Sequence, residues 1–459
     1  MATRISAQTT GTPTNNKKFT FSVWLKRAIY DGGHKVYIHE RGPGHAHTHK
    51  VEFGFSTSNY FTFGTWNGSA EYYSATTQKF FDCNAWYHFV IACDSTQATD
   101  SDRLKFYCNG EQITSFSTGP SYPAQNWVFD SNTWTHFIGQ YVSSAGQSNP
   151  YEGCMSDFCF VDGQQLTPSS FGETDTDTGE WRVKDFVAGD ITWGTNGYRI
   201  LKDGNSLTDV SSNSHNFTLD TGTLTRTEDC PSNIMATLDT NSPTGGGFSG
   251  NSGTWANGNT KFTTSNSSSN FGVPLSTLGM NKGKYYAECK KISGNQGLIG
   301  IRGWQGTSTN NYLGDTPADY AIYTDGYMYT NNTQTDISGS SYSNDDIIGV
   351  FVDCDNWKLY FSKNGTIMNT TGHTITDITG DTNARSLGAY FFGTTEWDSS
   401  GNGTWEWNFG NGAFSDAQLT GTTYNGANGK GIFKYDPNNI TLDGVSKSFN
   451  ALSTKGLNA

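Results

Sequence analysis

The sequence predicts an all-β protein made of two antiparallel, jelly-roll-like β-sandwich domains joined by an extended connector. Three observations favour this fold class. Aromatic residues make up 14% of the 459 residues, which excludes a disordered chain. Charged residues make up only 15%, and glycine occurs 54 times, often in clusters with Asn, Asp and Ser that mark turns. Short stretches of alternating apolar and polar residues lie between these turns, and long amphipathic helical patterns are absent.

The first domain is predicted to span residues 1–187. Residues 19–26 alternate large apolar with mainly polar residues, as in a half-buried strand. Asn109-Gly110 predicts a hairpin turn after a later strand. Cys93 continues an apolar row, which predicts a buried thiol and not a disulfide. The other predicted strands cover residues 51–55, 60–63, 86–94, 104–108 and 134–141.

Residues 153–181 predict a strand, a tight turn, one helical turn and an acidic loop, in that order. Asp162-Gly163 is the turn dipeptide. Thr167 is the predicted cap of a helix whose first residue is Pro168, and Gly172 ends that helix. Such a segment closes a sheet and covers its end.

Several stretches of the first domain resemble a laminin-G-type concanavalin A-like module. They are F-T-F-S-V-W-L-K-R (19–27), W-Y-H-F-V-I-A-C-D-S-T (86–96) and D-R-L-K-F-Y-C-N-G-E-Q-I-T (102–114). L-T-P-S-S-F-G-E-T-D and T-G-E-W, both within 153–181, are similar to the version found in structural proteins of tailed bacteriophages. The likeness covers most of residues 4–185 and implies a virion protein.

Residues 188–253 are predicted to form a connector that is partly extended and Gly/Ser-rich. A second set of strands follows, and residues 347–365 predict a hairpin that turns at 355–357. Trp405, Trp407 and Phe409 alternate on one face of a later strand. This series is similar to a SPRY domain in the form that phages use. The resemblance implies a SPRY-like sandwich over 254–435 and a C-terminal tail over 436–459, whereas the loop 304–320 has no match in it.

The charge and hydrophobicity of the sequence limit the classes of partner that the protein can bind. A net charge of −13 argues against nucleic acid, because phosphate binding needs clustered Lys and Arg. No apolar run approaches ~18 residues, so we expect no membrane insertion. The first residues lack the apolar region of a signal peptide. Together with the resemblance, this implies a protein made in the host cytoplasm and carried on the virion surface.

Residues 42–50, G-P-G-H-A-H-T-H-K, are the candidate metal site. Alternation along an extended chain places His45, His47 and His49 on one side, where neutral imidazoles suit Zn, Ni or Fe. The segment resembles phage fibres in which His-x-His pairs from three chains bind iron on a trimer axis. The alternative, which we favour, is an exposed polar loop that binds no metal.

Acidic residues are candidates for Ca²⁺ binding and for glycoside hydrolysis. Asp175 and Asp177 alternate in a Gly-containing loop and offer hard oxygens, but a solvated acidic loop is the preferred interpretation. Retaining hydrolysis needs two carboxyls ~5–5.5 Å apart across the sugar. Glu173 and Glu180 lie in a loop at the wrong separation, and Glu406 has no second acid near it. We therefore predict a protein that is not an enzyme and needs no cofactor.

Aromatic residues in turn-rich segments of the second domain are the candidate ligand-binding residues. Sugars stack on aromatic faces, and polar side chains fix their hydroxyls. We expect most of these aromatics to lie in the core and some to bind a glycan. The candidates are Trp304, Tyr312, Tyr320, Tyr327, Tyr329 and Trp397.

These observations and the two resemblances predict a non-enzymatic phage virion surface protein. It would be a tail fibre, a head fibre or a decoration protein that contributes to attachment to host-surface glycans. Its partners would be other virion proteins and further copies of itself, a trimer being favoured. Two alternatives stay open: a purely architectural capsid or tail protein, and a polysaccharide depolymerase with an unrecognised site.

Overall fold

The computed structural model describes residues 2–457 except 31, 42–48, 130–133, 144–145, 203, 241–252, 265–271, 304–311, 338, 377–387, 399–401 and 415–416. The chain divides into two compact units, Met1–Leu224 and Thr225–Ala459. Strand makes up 47% and helix 4%, which confirms the predicted all-β class. No helix among the described residues is long and apolar enough to cross a membrane.

Unit 1 pairs an eight-stranded sheet, in the order β10-β6-β5-β4-β3-β11-β1-β18, with a six-stranded sheet, β17-β14-β2-β7-β8-β9. It also holds the helix α1 (Asp100–Arg103) and 3-10 turns at Pro168–Ser170 and Ala188–Asp190. Its strands are β1 (Arg4–Thr9), β2 (Lys18–Arg27), β3 (His34–Arg41), β4 (His49–Phe55), β5 (Tyr60–Trp66), β6 (Glu71–Lys79), β7 (Tyr87–Asp94), β8 (Leu104–Cys108), β9 (Glu111–Ile113), β10 (Phe116–Thr118), β11 (Trp134–Ile138), β12 (Tyr141–Ser143), β13 (Gly146–Ser148), β14 (Gly153–Asp162), β15 (Gly172–Thr174), β16 (Trp181–Val183), β17 (Tyr198–Ile200) and β18 (Thr218–Thr221).

The alternation predicted for β2 is the pattern that builds the core of unit 1. Its apolar row, including Phe21 and Leu25, packs between the two sheets, and Cys93 is buried there as predicted. Residues 153–181 form β14, a turn with Gly163 at φ +92°, a single 3-10 turn and the hairpin β15–β16. The cap differs from the prediction, because the Thr167 hydroxyl lies 2.9 Å from Ser169 Oγ and makes no capping bond.

The predicted connector is divided between the two units. Its first part, up to Leu224, belongs to unit 1 and supplies the edge strands β17 and β18. One carboxylate organises this part: Asp209 accepts hydrogen bonds from the backbone N–H groups of Arg199, Ser211 and His215 at 2.8–2.9 Å. These local bonds fold a segment that is too polar to show a strand pattern in the sequence.

Unit 2 pairs a nine-stranded sheet with a five-stranded sheet of order β25-β24-β23-β22-β30. The larger sheet has the order β19-β20-β31-β21-β26-β27-β28, with β29 beside β27 and β36 beside β21. The unit also contains a 3-10 turn at Asn257–Asn259 and the helix α2 (Thr454–Leu457). Its strands are β19 (Gly253–Ala256), β20 (Lys261–Thr264), β21 (Lys284–Ser293), β22 (Gly297–Gly303), β23 (Asp319–Tyr323), β24 (Met328–Thr330), β25 (Thr333–Thr335), β26 (Ile347–Asp353), β27 (Lys358–Lys363), β28 (Thr366–Ile367), β29 (His373–Thr374), β30 (Tyr390–Glu396), β31 (Thr404–Asn408), β32 (Ala413–Phe414), β33 (Ala417–Gln418), β34 (Ile440–Leu442), β35 (Val445–Lys447) and β36 (Asn450–Ala451).

The core of unit 2 contains the aromatic row predicted for β31, since Trp405, Trp407 and Phe409 are fully buried between the sheets. The predicted hairpin is β26–β27. Residues 436–457, which lie in the predicted tail, are part of the folded unit. Phe449 is fully buried, and β36 pairs in parallel with β21. An apolar residue in a short polar context carries too little periodicity to reveal this burial.

Candidate functional site

The outer face of the five-stranded sheet carries a group of aromatic side chains. Strand β23 sends Tyr320 and Ile322 into the core and Tyr323 to the opposite face, because successive side chains of a strand alternate. On the neighbouring strand β24, Met328 points inward and Tyr329 outward. Tyr323 and Tyr329 therefore meet on the outer face, with ring centroids 5.6 Å apart and planes at 74°.

Two further rings from distant parts of the chain complete this group. Trp397, which follows β30, lies 5.5 Å from Tyr323 and 6.2 Å from Tyr329 between ring centroids. Tyr312 packs 5.1 Å from the Trp397 ring. Tyr312 is buried, while the other three rings are half-buried and keep part of their surface in solvent. We call Tyr312, Tyr323, Tyr329 and Trp397 the aromatic cluster.

A buried ion pair holds the loop that carries Tyr312. Arg302 donates from Nε and Nη2 to the two carboxylate oxygens of Asp319 at 2.8 and 2.7 Å. The same guanidinium donates to the backbone oxygen of Tyr312 at 3.2 Å, and Asp319 accepts from the Gly314 N–H at 3.2 Å. At φ +109° and with Tyr329 Cβ only 3.0 Å from where a Cβ would lie, position 314 requires glycine.

Polar groups border the aromatic cluster. The Tyr312 hydroxyl donates to Asn332 Oδ1 at 2.5 Å, and Gln334 donates to Asp325 at 3.4 Å. Burial, together with the charge of Asp315, raises the pKa of Tyr312 to about 12. Burial and the charge of Asp325 also raise the pKa of Tyr329, so the rings act as neutral hydrogen-bonding surfaces at ordinary pH. Half-exposed rings beside amides and carboxylates form the kind of surface on which a pyranose ring stacks.

Each of the two units contains a segment that matches a known protein family. The concanavalin A-like lectin/glucanases superfamily matches residues 3–170, and the SPRY domain matches residues 284–387. The chain contains a concanavalin A-like domain and a SPRY domain. Both predicted module types are thereby confirmed, whereas the tailed-phage likeness remains a prediction.

Several solved structures match parts of the chain. The SPRY domain of human HERC1 is 17% identical, with 32% of this chain and 87% of that chain covered and a TM-score of 0.26. The PSpry domain of TRIM65 is 13% identical, with 38% and 91% covered and a TM-score of 0.27. The native heptameric SAP-like pentraxin from Limulus polyphemus is 14% identical, with 36% and 78% covered and a TM-score of 0.27. No curated protein matches the chain in sequence.

The SPRY domain brings together three of the six predicted aromatic residues: Tyr312, Tyr329 and Trp397. Tyr320 lies in the core, and its hydroxyl donates to the Thr376 backbone oxygen at 2.9 Å, so we remove it from the candidate site. Tyr327 is exposed but is not among the rings of the aromatic cluster. Trp304 lies outside the described residues. Tyr323 was missed, although its odd spacing from Tyr320 and Ile322, which alternate into the core, was the available signal.

The predicted metal loop of the concanavalin A-like domain is described only at its end. His45 and His47 lie outside the described residues. His49 begins β4, and its ring centroid is 6.3 Å from that of Trp134. In the described part of the chain, no three His, Cys, Asp or Glu side chains are grouped as metal ligands. Neither the metal hypothesis for His45, His47 and His49 nor the favoured interpretation of a metal-free loop is tested by the described residues.

The acidic loop predicted after β15 is organised by an arginine. Arg182 contacts Glu173 at 3.0 Å and Asp175 at 2.5 Å. Asp175 also accepts the backbone N–H groups of Asp177 and Thr178 at 2.9 and 3.0 Å. A Ca²⁺ ion at Asp175 and Asp177 would have to displace this guanidinium. The contacts therefore favour the interpretation of a solvated acidic loop.

Two carboxylates missed by sequence reasoning lie on β4 and β6. Lys50 lies 3.5 Å from Glu52 and 3.7 Å from Glu71, and Lys35 lies 3.0 Å from Glu52. Burial favours the neutral form of Glu52, but the two ammonium groups outweigh it and lower its pKa. A general acid for glycoside hydrolysis needs a raised pKa, which Glu52 lacks. The superfamily includes both glucanases and lectins, so the family match fits either class.

Proposed function

We propose that the protein is a non-enzymatic carbohydrate-binding protein and that the aromatic cluster of its SPRY domain is the binding surface. The observation that carries this proposal is the contact of three partly exposed rings, Tyr323, Tyr329 and Trp397, on one sheet face. A pyranose presents C–H groups on one face and hydroxyls around its edge. Stacking on the rings and hydrogen bonds to Asn332, Gln334 and Asp325 match that distribution.

Rigid placement supports this function. The backbone oxygen of Tyr312 accepts a hydrogen bond from Arg302, which is itself paired with Asp319, and the backbone N–H of Trp397 donates to the Gln296 backbone oxygen at 2.7 Å. A preformed surface loses little conformational entropy when a ligand binds, which matters for weak sugar contacts.

A glycan array probed with the full-length chain, at high protein concentration, tests the proposal. We expect retention of a restricted set of saccharides. Absence of retention by the assembled protein would contradict the proposal and favour a purely architectural protein.

The non-enzymatic part of the proposal rests on the carboxylates. Glu173 is tied to Arg182, and Glu52 to two lysines. Glu406 is buried and contacts Lys261 at 3.1 Å. The measurement is the amount of reducing ends that the protein releases from each saccharide retained on the array. We expect no release above background, and sustained turnover would make the protein a depolymerase.

We propose further that the protein acts on the surface of a tailed-phage particle, as a tail fibre, head fibre or decoration protein, and that it forms homo-oligomers, a trimer being favoured. The resemblance of segments within residues 153–181 to structural proteins of tailed bacteriophages supports the placement on a phage particle. Oligomerisation would multiply weak saccharide contacts through avidity. Antibody labelling of purified phage particles tests the location, and unlabelled particles would contradict it. Light scattering of the purified protein tests oligomerisation, and the mass of a monomer would contradict it.

A further inference from the structure

Lys291, near the end of β21, is a buried lysine whose hydrogen-bond acceptors carry no charge. It is 2% exposed, and its Nζ donates to the Gly294 backbone oxygen and, at 2.6 Å, to Asn344 Oδ1. It forms no ion pair with another residue that the structure describes. Lys447, a buried lysine of the same unit, is paired with Asp353 at 2.8 Å. Because buried lysines are nearly always paired, Lys291 is a candidate for a reactive amine.

We propose that Lys291 and Asn344 form an intramolecular isopeptide bond, an amide between the lysine amine and the asparagine side chain. The proposal is independent of carbohydrate binding. In the reaction the Nζ–Cγ bond forms and the Cγ–Nδ2 bond breaks, so that Nδ2 leaves as ammonia with a proton from the amine. The ammonium form of Lys291 gives up one further proton, which the released ammonia takes up. The step balances without an oxidant, a reductant or a co-reactant.

The two reacting groups are already in contact. Asn344 Oδ1 lies 2.6 Å from Lys291 Nζ, and a C=O bond is ~1.23 Å long, so the amide carbon lies within about 3.8 Å of the nucleophile. Rotation about the Cε–Nζ bond turns the lone pair of the deprotonated amine toward this carbon. Intramolecular reactions gain most from proximity when the reacting atoms are held ~3–3.5 Å apart, which this contact approaches.

Backbone hydrogen bonds hold the two side chains together. The Asp345 N–H donates to the Lys291 backbone oxygen at 2.7 Å, and the Lys291 N–H donates to the Asp346 backbone oxygen at 3.2 Å. The Asp346 N–H closes the turn by donating to the Ser343 backbone oxygen at 3.2 Å. The turn that carries Asn344 is therefore fixed to the strand that carries Lys291 through both backbone groups of the lysine.

The surroundings of Lys291 favour the neutral, reactive form of its amine. Burial lowers the pKa of the ammonium group and outweighs the charge of Glu396, which acts in the opposite sense. Nζ lies 5.7 Å from the ring centroid of Trp405, which is fully buried. The neutral amine is the nucleophile, and desolvation is a known way to activate a lysine. Asn344 is exposed, so the released ammonia has a path to solvent.

The bond would join the two ends of the segment 291–344, which contains the strands β22 to β25. These strands carry Tyr323 and Tyr329 of the aromatic cluster. A covalent link between the ends of a long segment restricts the unfolded chain, by the same argument as for a disulfide. The bond would thus stabilise the sheet that presents the cluster.

Mass spectrometry of the purified full-length protein tests the proposal. The chain is denatured and digested with trypsin, which cannot cleave after a lysine whose amine is in an amide bond. We expect residues 291–302 joined to residues 303–358, in a product about 17 Da lighter than the two peptides together because one ammonia is lost. Fragmentation should place the link between Lys291 and Asn344. Separate peptides 292–302 and 303–358 of unmodified mass would overturn the proposal.

Three variants identify the reacting groups. Lys291→Met lacks the nucleophile and Asn344→Ala lacks the electrophile, so neither should give a joined product. Lys290→Met changes the neighbouring lysine, which is paired with Asp345, and is the matched control that should keep the link. A loss of about 17 Da that persists in Lys291→Met would show that an asparagine has cyclised to a succinimide, and it would overturn the proposal.

Discussion

Arg302 and Asp319 form a two-point ion pair, 2.8 and 2.7 Å long, on adjacent strands beneath the loop that carries Tyr312. Both side chains are almost completely buried. The pair thus links the strand framework of the SPRY domain to the aromatic cluster. A buried charge is stable only beside its counter-ion. The stability of the domain and the position of Tyr312 in the candidate site therefore depend on the same ion pair.

The Arg302→Ala variant should therefore destabilise the SPRY domain by about 3–5 kcal/mol, because Asp319 is left buried without its counter-ion. Chemical denaturation measures this change. Lys290→Ala is the matched control: it breaks the exposed Lys290–Asp345 pair, for which we expect at most about 1 kcal/mol. Equal effects of the two substitutions would contradict the role assigned to Arg302.

The concanavalin A-like domain should lose stability in acid through its buried histidines. Burial lowers the pKa of His88 and of His136 to about 3 and that of His39 well below its ordinary value. Their neutral forms fit the fold, since the Trp181 indole donates to His88 Nδ1 at 3.0 Å. The stability that they contribute is fully present above the unfolded pKa of ~6.5 and is lost as the pH falls toward 3.

Each histidine should contribute a slope of about 1.4 kcal/mol per pH unit in that window. Unfolding free energies measured between pH 7.5 and 4.5 test this expectation. In His88→Gln the slope of the unfolding free energy against pH should be smaller by about the contribution of one histidine. An unchanged slope would show that His88 titrates alike in the folded and unfolded chain.

Glu288 is a second buried group with a measurable role. Its carboxylate accepts four hydrogen bonds, from Tyr286, Asn408 and the backbone N–H groups of Lys434 and Tyr435, at 2.8–3.1 Å. The Glu288→Gln variant would turn an NH₂ group toward two of these donors, so we expect a loss of about 1–3 kcal/mol. Denaturation at fixed pH measures it, and wild-type stability would contradict this account.

The same comparison should depend on pH. Burial raises the pKa of Glu288 to about 7. A raised folded-state pKa gives stability that is fully present below the unfolded value near 4.3 and is lost as the pH rises through 7. The stability of wild type relative to Glu288→Gln should therefore fall as the pH rises from 4.5 to 7, so that any advantage measured in acid is lost or reversed near neutral pH.

The C-terminal segment should be essential to the SPRY domain. Phe449 is fully buried, with its ring 5.1 Å from Phe351, and Lys447 donates to Asp353 at 2.8 Å. Phe449→Ala should cost about 3–5 kcal/mol. Val445→Ala, at a position that is 55% exposed, should stay within about 0.5 kcal/mol. Similar midpoints for both variants would mean that this segment is a dispensable tail.

Strong alternation was enough to predict the strands that face the two cores, such as β2 and β31, because a strand buried on one face repeats every two residues. The folding of the described residues of 188–224 and 436–457 was not predicted, because these segments are held by side-chain to backbone bonds, such as those of Asp209, and by single apolar anchors such as Phe449. Neither kind of interaction produces a periodic pattern of apolar residues in the sequence.

The candidate site was predictable in part. Turn-rich aromatic segments pointed to Tyr312, Tyr329 and Trp397, but their meeting depends on strand order, which brings β24 and β30 to either side of β22–β23. Tyr320 and Tyr323 have the same residue type on the same strand and face opposite sides. The register that separates them is fixed by tertiary pairing and not by composition.

Isothermal titration of the tightest array saccharide into wild type, Trp397→Ala and Tyr327→Ala tests the central claim most directly. Trp397 belongs to the aromatic cluster, whereas Tyr327 is an exposed ring outside it. We predict that Trp397→Ala weakens binding at least about tenfold, as expected for loss of a central aromatic contact, and that Tyr327→Ala changes it less than about twofold. Wild-type affinity in Trp397→Ala, with the domain still folded, would contradict the claim that the aromatic cluster is the carbohydrate site.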